Sequence, residues 1–101
     1  MFMGFVPHNS DFTAVFPVTG FYEEPITATV NYKVYGPLGD LMANSSGIAT
    51  QILTGIYKAV LPVKTVNQYE PGKFYNLVVS YSVTEDGKTV TKMKFLTFGA
   101  V

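Results

Sequence analysis

From Ile26 to Tyr35 the chain alternates without a break. Ile26, Ala28, Val30, Tyr32 and Val34 fall on one side, and Thr27, Thr29, Asn31, Lys33 and Tyr35 on the other. A strand sends successive side chains to opposite faces, so this order fits a strand with one buried and one wet face, and fits no helix. The same period recurs along most of the chain, broken at short intervals by turn residues. Asp11 to Val18 reads as a first strand carrying Phe12, Ala14, Phe16 and Val18. Pro17 confines it to a sheet edge or a bulge, because proline has no N–H to give to a ladder. Thr19 to Pro25 is a loop.

Beyond Tyr35 the turn chemistry sets the order of elements. Gly36-Pro37-Leu38-Gly39-Asp40 reverses the chain, Pro presetting one corner and Gly supplying a positive φ. A short strand from Leu41 to Ala43, a turn over Asn44-Ser45-Ser46-Gly47 and a weakly alternating strand from Ile48 to Leu53 follow. Gly55 to Leu61 comes next, with Tyr57, Ala59 and Leu61 facing inward. A connection from Pro62 to Gly72 leads to the long strand Phe74 to Thr84, whose inward set is Tyr75, Leu77, Val79, Tyr81 and Val83. Glu85-Asp86-Gly87-Lys88 is the clearest hairpin signal, since an Asp-Gly pair accepts the positive φ angles of a tight primed turn. In the last strand, Thr89 to Phe98, the residues Thr91, Met93, Phe95 and Thr97 share one side. Lys88, Val90, Lys92 and Lys94 share the other, expected to be the outer face. About seven strands in 101 residues predict one domain, residues 1–101, folded as an all-β antiparallel sandwich.

Several of these segments also carry a resemblance. Val34-Tyr35-Gly36-Pro37 with Gly39 ahead of Leu41, Gly55-Ile56-Tyr57-Lys58-Ala59 with Leu61, Pro71-Gly72 before Tyr75, and the closing hairpin resemble the immunoglobulin-like β-sandwich over residues 11–98. In that resemblance the runs from Gly55 and from Phe74 stand as the E and F strands. Tyr75 stands where fibronectin III-like domains carry their tyrosine corner. The paired Cys and core Trp of antibody domains are missing, so the likeness is to the broad class.

Composition removes whole classes of function. With no Cys, neither a disulfide framework nor a thiolate metal site is available, and the absence fits assembly in a reducing cytoplasm. Seven Lys balance seven acids and Arg is absent, which argues against duplex nucleic acid, whose recognition draws on a basic surface and the bidentate Arg fork. No apolar run is long enough to cross a bilayer, so no membrane partner is expected. The first residues lack the basic charge and length of a secretory signal. With Met1 as a native start, the expectation is a protein that stays in the cytoplasm or leaves it inside a larger object. Hydrophobic residues reach 48% and charged ones only 14%, which suits a surface that lives against other proteins.

No chemistry announces itself. His8, Ser10 and Asp11 are the residue types of a hydrolase triad, but members so close in sequence do not converge in its geometry. Glu23, Glu24, Asp40, Glu85 and Asp86 are loop carboxylates without the spacing that calcium requires, and a lone His makes no zinc site. Asn44-Ser45-Ser46 matches a glycosylation sequon and, without a signal sequence, reads as turn composition. Neither catalytic residues, nor a cofactor, nor a metal is expected. Lys88, Lys92 and Lys94 are read as edge protection against sheet-to-sheet aggregation, with contact to an acidic neighbour as the competing account. Tyr22, Tyr32, Tyr35 and Tyr69, taken as exposed, are a minority candidate for a sugar-stacking platform.

The apolar ends are the most functional-looking feature. Met1, Phe2, Met3, Phe5 and Val6 precede the first strand, and Leu96, Phe98 and Val101 lie beyond the last strand's inward set. Such segments either fold back to complete the core or dock on a neighbour, and residues 1–10 are a candidate docking arm. A short, Cys-free, Arg-free sandwich with apolar ends resembles the small immunoglobulin-like proteins of tailed bacteriophages that decorate capsids or attach to tails. The resemblance implies a non-enzymatic virion component, assembled in the host cytoplasm, with capsid or tail subunits as partners or as a homo-oligomer. Phe2, Phe5, Leu96 and Phe98 would be its anchors, with Lys92 and Lys94 tuning contact to acidic neighbours. The alternative is a ligand- or glycan-binding sandwich module of a bacterial surface or secreted protein.

Overall fold

In the computed structural model, which describes residues 1–101, the alternating segments become strands of two facing sheets. In chain order they are β1 (Phe2–Val6), β2 (Ser10–Pro17), β3 (Asn31–Tyr35), β4 (Leu41–Ile48), β5 (Thr50–Leu53), β6 (Ile56–Val63), β7 (Phe74–Glu85) and β8 (Lys88–Ala100). One sheet has five strands in the order β1-β8-β7-β3-β4, and the other has three in the order β2-β6-β5. All ladders are antiparallel except that of β1 with β8, which is parallel. The chain is therefore all-β and two-layered, with β1 added to the expected set of strands. Pro17 ends β2 on an edge of the smaller sheet, where its missing N–H costs no ladder bond.

The core lies between the sheets and is filled as alternation dictates. Tyr75, Leu77, Val79, Tyr81 and Val83 of β7 face Ala14 and Phe16 of β2 and Tyr57, Ala59, Leu61 and Val63 of β6 across one cluster of buried side chains. Tyr75 and Phe98 stack at 5.8 Å between ring centroids, and Tyr69 packs on Tyr75 at 4.7 Å. Tyr69 is buried, which removes it from the four tyrosines taken as exposed. Burial pushes its hydroxyl up to about 12, partly offset by the hydrogen bond it donates to Ser45 Oγ at 2.6 Å.

Three segments depart from the reading of the sequence. Only Asn31–Tyr35 pairs as a strand, while residues 26–30 keep the alternation of burial but cross between the sheets. The turn expected at Asn44-Ser45-Ser46-Gly47 is a bulge inside β4. Asn44 takes a left-handed φ of 56°, the β3–β4 register shifts between Lys33 and Tyr35, and the strand continues to Ile48. Polar side chains hold that bulge in place: Asn44 Nδ2 donates to Asn67 Oδ1 at 2.7 Å, and Asn67 Nδ2 to the Pro62 carbonyl at 3.0 Å.

The third departure concerns β8, which presents the opposite face from the one expected. The Asp86-Gly87 turn pairs Glu85 with Lys88, so Leu96 falls opposite Leu77 and Phe98 opposite Tyr75. Those partners face the core, and cross-strand neighbours share a face. Leu96 and Phe98 are therefore core residues, 6% and 0% exposed, while Met93 and Phe95 point outward.

Where the ladders end, tyrosine hydroxyls close the loops. Tyr57 Oη accepts from Ala28 N–H at 2.9 Å and donates to the Ala28 carbonyl at 3.0 Å. Tyr81 treats Thr19 in the same way, at 3.0 Å for both bonds. Tyr75 accepts from Glu70 N–H at 2.8 Å, with the Glu70 carbonyl at 3.5 Å. Replacing Tyr75 by Phe keeps the ring and strands the Glu70 N–H, and should lower the unfolding free energy by about 1–2 kcal/mol. Urea denaturation should show a lower midpoint with an unchanged slope.

Candidate functional site

The outward side of the five-stranded sheet is built by the same alternation that fills the core. Residues of β7 and β8 that pair with each other outside the core are Phe74 with Gly99, Asn76 with Thr97, Val78 with Phe95, and Ser80 with Met93. β1 adds Phe2 beside Thr97 and Phe5 beside Gly99. β3 adds Tyr35 and Lys33 next to Asn76 and Val78, and β4 adds Leu41, Ser46 and Ile48. Lys33 is the one ionisable charge in this set, and no carboxylate belongs to it.

At the β1 side the face carries an aromatic cluster. Phe2 and Phe5 meet edge to face at 5.3 Å, and Phe74 lies 6.2 Å from Phe2 and 6.3 Å from Phe5. Gly99 makes room for it, because a Cβ there would stand 2.8 Å from the Phe5 ring and 3.2 Å from that of Phe74. The rings pack on one another and still face water: Phe5 is 63% exposed and Phe95, further along the face, 61%.

The expected anchors are thus divided. Phe2 and Phe5 lie on the apolar face, carried by an edge strand folded back on its own domain, whereas Leu96 and Phe98 are sealed inside and cannot contact a partner of the folded chain. Lys92 and Lys94 lie on the core side of β8, opposite Tyr81 and Val79, and not on the outer face. Lys92 Nζ donates to the Gly20 carbonyl at 2.6 Å and pairs with Glu23 at 3.3 Å, which latches the β2–β3 loop to the hairpin. Phe74 falls outside the inward set of its strand by alternation alone, and the surface residues that sequence reasoning missed are Met93 and Phe95. Their orientation follows once the register of the Asp86-Gly87 hairpin is carried down both strands.

Elsewhere the polar groups serve the fold. His8 Nε2 meets the Tyr69 carbonyl at 2.9 Å and Thr65 Oγ1 at 3.2 Å, Ser10 Oγ donates to the Pro7 carbonyl, and Asp11 pairs with Lys64 at 3.4 Å. The three triad-like residues thus bond to other groups, and no bond joins any two of them. No three His, Asp or Glu side chains come together. The largest depression, ≈ 530 Å³, is open and lined by hydroxyls of Thr27, Thr29, Ser80, Ser82 and Thr84 without an acid or base. A smaller one, ≈ 290 Å³, joins Phe21 and Tyr22 to Glu85, Asp86 and Lys88. Compared with family models, with curated proteins and with solved structures, the chain matches none. Fold and surface define a class only: a two-sheet β-sandwich with an apolar outer face on its larger sheet.

The Glu23 latch is pH-dependent in a definite direction. The hydrogen bond from Thr19 Oγ1, then the hydrogen bond and charge of Lys92, hold the Glu23 carboxyl below its ordinary 4.5. A carboxylate whose folded value is depressed contributes above its unfolded value and loses that contribution as the pH falls through the folded one. The Lys92 side-chain resonances should therefore shift with a midpoint below 4.5, and Glu23→Gln should abolish the shift in an NMR titration.

Proposed function

We propose that this chain is a non-enzymatic docking module that attaches to neighbouring protein subunits through the outer face of its five-stranded sheet. One observation carries the reading: Phe2, Phe5, Phe74, Met93 and Phe95 are each at least half exposed on a single face with Lys33 as its one charge. Half-exposed phenylalanines present roughly 100 Å² apiece. Four of them, with Met93, Leu41 and Ile48, spread roughly several hundred Å² of apolar surface over the face, interrupted by the Asn76–Thr97 pair and Lys33, on the scale of the largest apolar patch of a soluble monomer. A standard interface takes about 800 Å² per partner, a size this sheet can supply.

The strand order supports an immunoglobulin-like classification. The set β2-β6-β5 corresponds to strands B, E and D, and β4-β3-β7-β8 to C′, C, F and G, with Tyr75 bonded at the start of F. On that reading the resemblance to small bacteriophage proteins supplies the setting, a virion component bound to capsid or tail subunits. Many copies with modest contacts would hold through multivalency. The glycan-binding alternative rests on the cleft beside Tyr22, where one strongly exposed tyrosine, not a row, faces the solvent.

Sedimentation of the untagged protein from its native lysate tests the proposal. The wild type should travel with large particles, and Phe5→Ser combined with Phe74→Ser should release about tenfold more into the small fraction. Both side chains are half exposed, so the thermal midpoint should move little. A wild type that sediments only as a small species, or a well-folded variant that stays with the particles, would overturn it.

A further inference from the structure

Half of β8 has an open side. β1 begins beside Phe95, where the Met1 amino group donates to the Phe95 carbonyl at 3.2 Å and Thr97 N–H to the Met1 carbonyl at 2.7 Å. From Lys88 to Lys94 the only neighbour of β8 is β7. Antiparallel geometry tells which backbone groups are unpaired there, because each residue turns both its N–H and its C=O to the same side. Ala100 bonds Lys73 and Gly72 across the hairpin, so even-numbered residues of β8 face β7. Odd-numbered residues face the β1 side, as the bonds from Thr97 to Met1 and from Val101 to Val6 require. The N–H and C=O groups of Thr89, Thr91 and Met93 therefore point out of the sheet.

A second copy is a poor occupant of this edge. Pairing two β8 edges about a twofold centred on Val90 sets Lys88 against Lys92, and centring on Thr91 sets Lys88 against Lys94. A centre at Lys92 sets that residue against itself, and one at Met93 sets Lys92 against Lys94. Every such register places two ammonium groups opposite each other, which destabilises a strand pair. The same lysines select a different strand. Lys92 is engaged by Glu23, whereas Lys88 and Lys94 make no ion pair. On the other face of the edge stand Thr91, Met93 and Phe95, the last two more than half exposed.

We propose that the free edge of β8 takes up an extended segment of a partner protein in which acidic and apolar residues alternate. Its acidic side chains would lie over Lys88 and Lys94, and its apolar ones would extend the outer face beside Met93 and Phe95. None of the strands β1 to β8 carries two carboxylates in alternation, so none of them supplies that segment. Main-chain bonds supply the attachment and the lysines its selectivity. The inference goes beyond docking through the outer face, and neither depends on the other.

The probe is a capped peptide of about eight residues alternating glutamate and valine, long enough for one strand, with the lysine–valine peptide as control. Amide exchange at Thr89, Thr91 and Met93 should slow about tenfold on saturation with the glutamate peptide, and even-numbered neighbours should change little. Lys88→Glu with Lys94→Glu should weaken that peptide about tenfold and turn the preference to the lysine peptide. Thr91→Pro removes a donor only on the open side and should block both peptides; should that variant fail to fold, the charge reversal decides alone. Absence of saturable binding, equal binding of the two peptides, or protection elsewhere in the chain would overturn the proposal.

Discussion

The structure depends on pairing backbone groups that the ladders leave behind. A small two-sheet domain has long connections over its ends, and each buried N–H or C=O without a partner there costs about 1–3 kcal/mol. Tyrosine meets the need because its ring belongs to the core while its hydroxyl both gives and accepts a hydrogen bond at the rim. Tyr57 on β6 and Tyr75 and Tyr81 on β7 each fasten the two polar groups of one loop residue. Both strands are central in their sheets, so the loops are tied to the best-supported parts of the domain. No buried side-chain nitrogen or oxygen is left without a partner.

Much of this was legible in the sequence, and the failures have physical causes. Period-two alternation located β2, β6 and β7 and their inward residues, because one face of each is buried and the other wet. It did not locate β4 as one strand, because Asn44-Ser45-Ser46-Gly47 has the composition of a turn and its role as a bulge depends on Asn67 and Tyr69, far away in sequence. It also misassigned the faces of β8, where both sides carry large apolar residues and local pattern offers no choice. Only the partner strand breaks that tie. The candidate surface suffered in proportion: Phe2 and Phe5 stand out as terminal apolar residues and Phe74 falls outside the inward set of its strand by alternation alone, but Met93 and Phe95 become visible only through register.

The two faces of β8 show how one strand separates two tasks. Toward the core it passes from Phe98 and Leu96, both buried, to Lys94 and Lys92, the second of which reaches the Gly20 carbonyl and Glu23 of the β2–β3 loop. Toward the outside it stays uncharged from Thr89 to Gly99. The charge of β8 is thus kept off the broad face and gathered along the line where the sheet is open. This arrangement discourages copies from joining edge to edge while leaving the apolar face available.

The parallel pairing of β1 with β8 has a mechanical consequence. The two strands carry the two ends of the chain, and Met1 lies beside Phe95 and Thr97 while Val101 bonds to Val6 at the opposite end of the pair. Tension applied between the termini would draw the strands past each other along their length. The bonds between them would be loaded together in shear instead of opening one after another like a zip. A domain wired this way resists stretching at its ends with all the bonds of one short ladder at once, a property set by strand direction and not by the strength of any single bond.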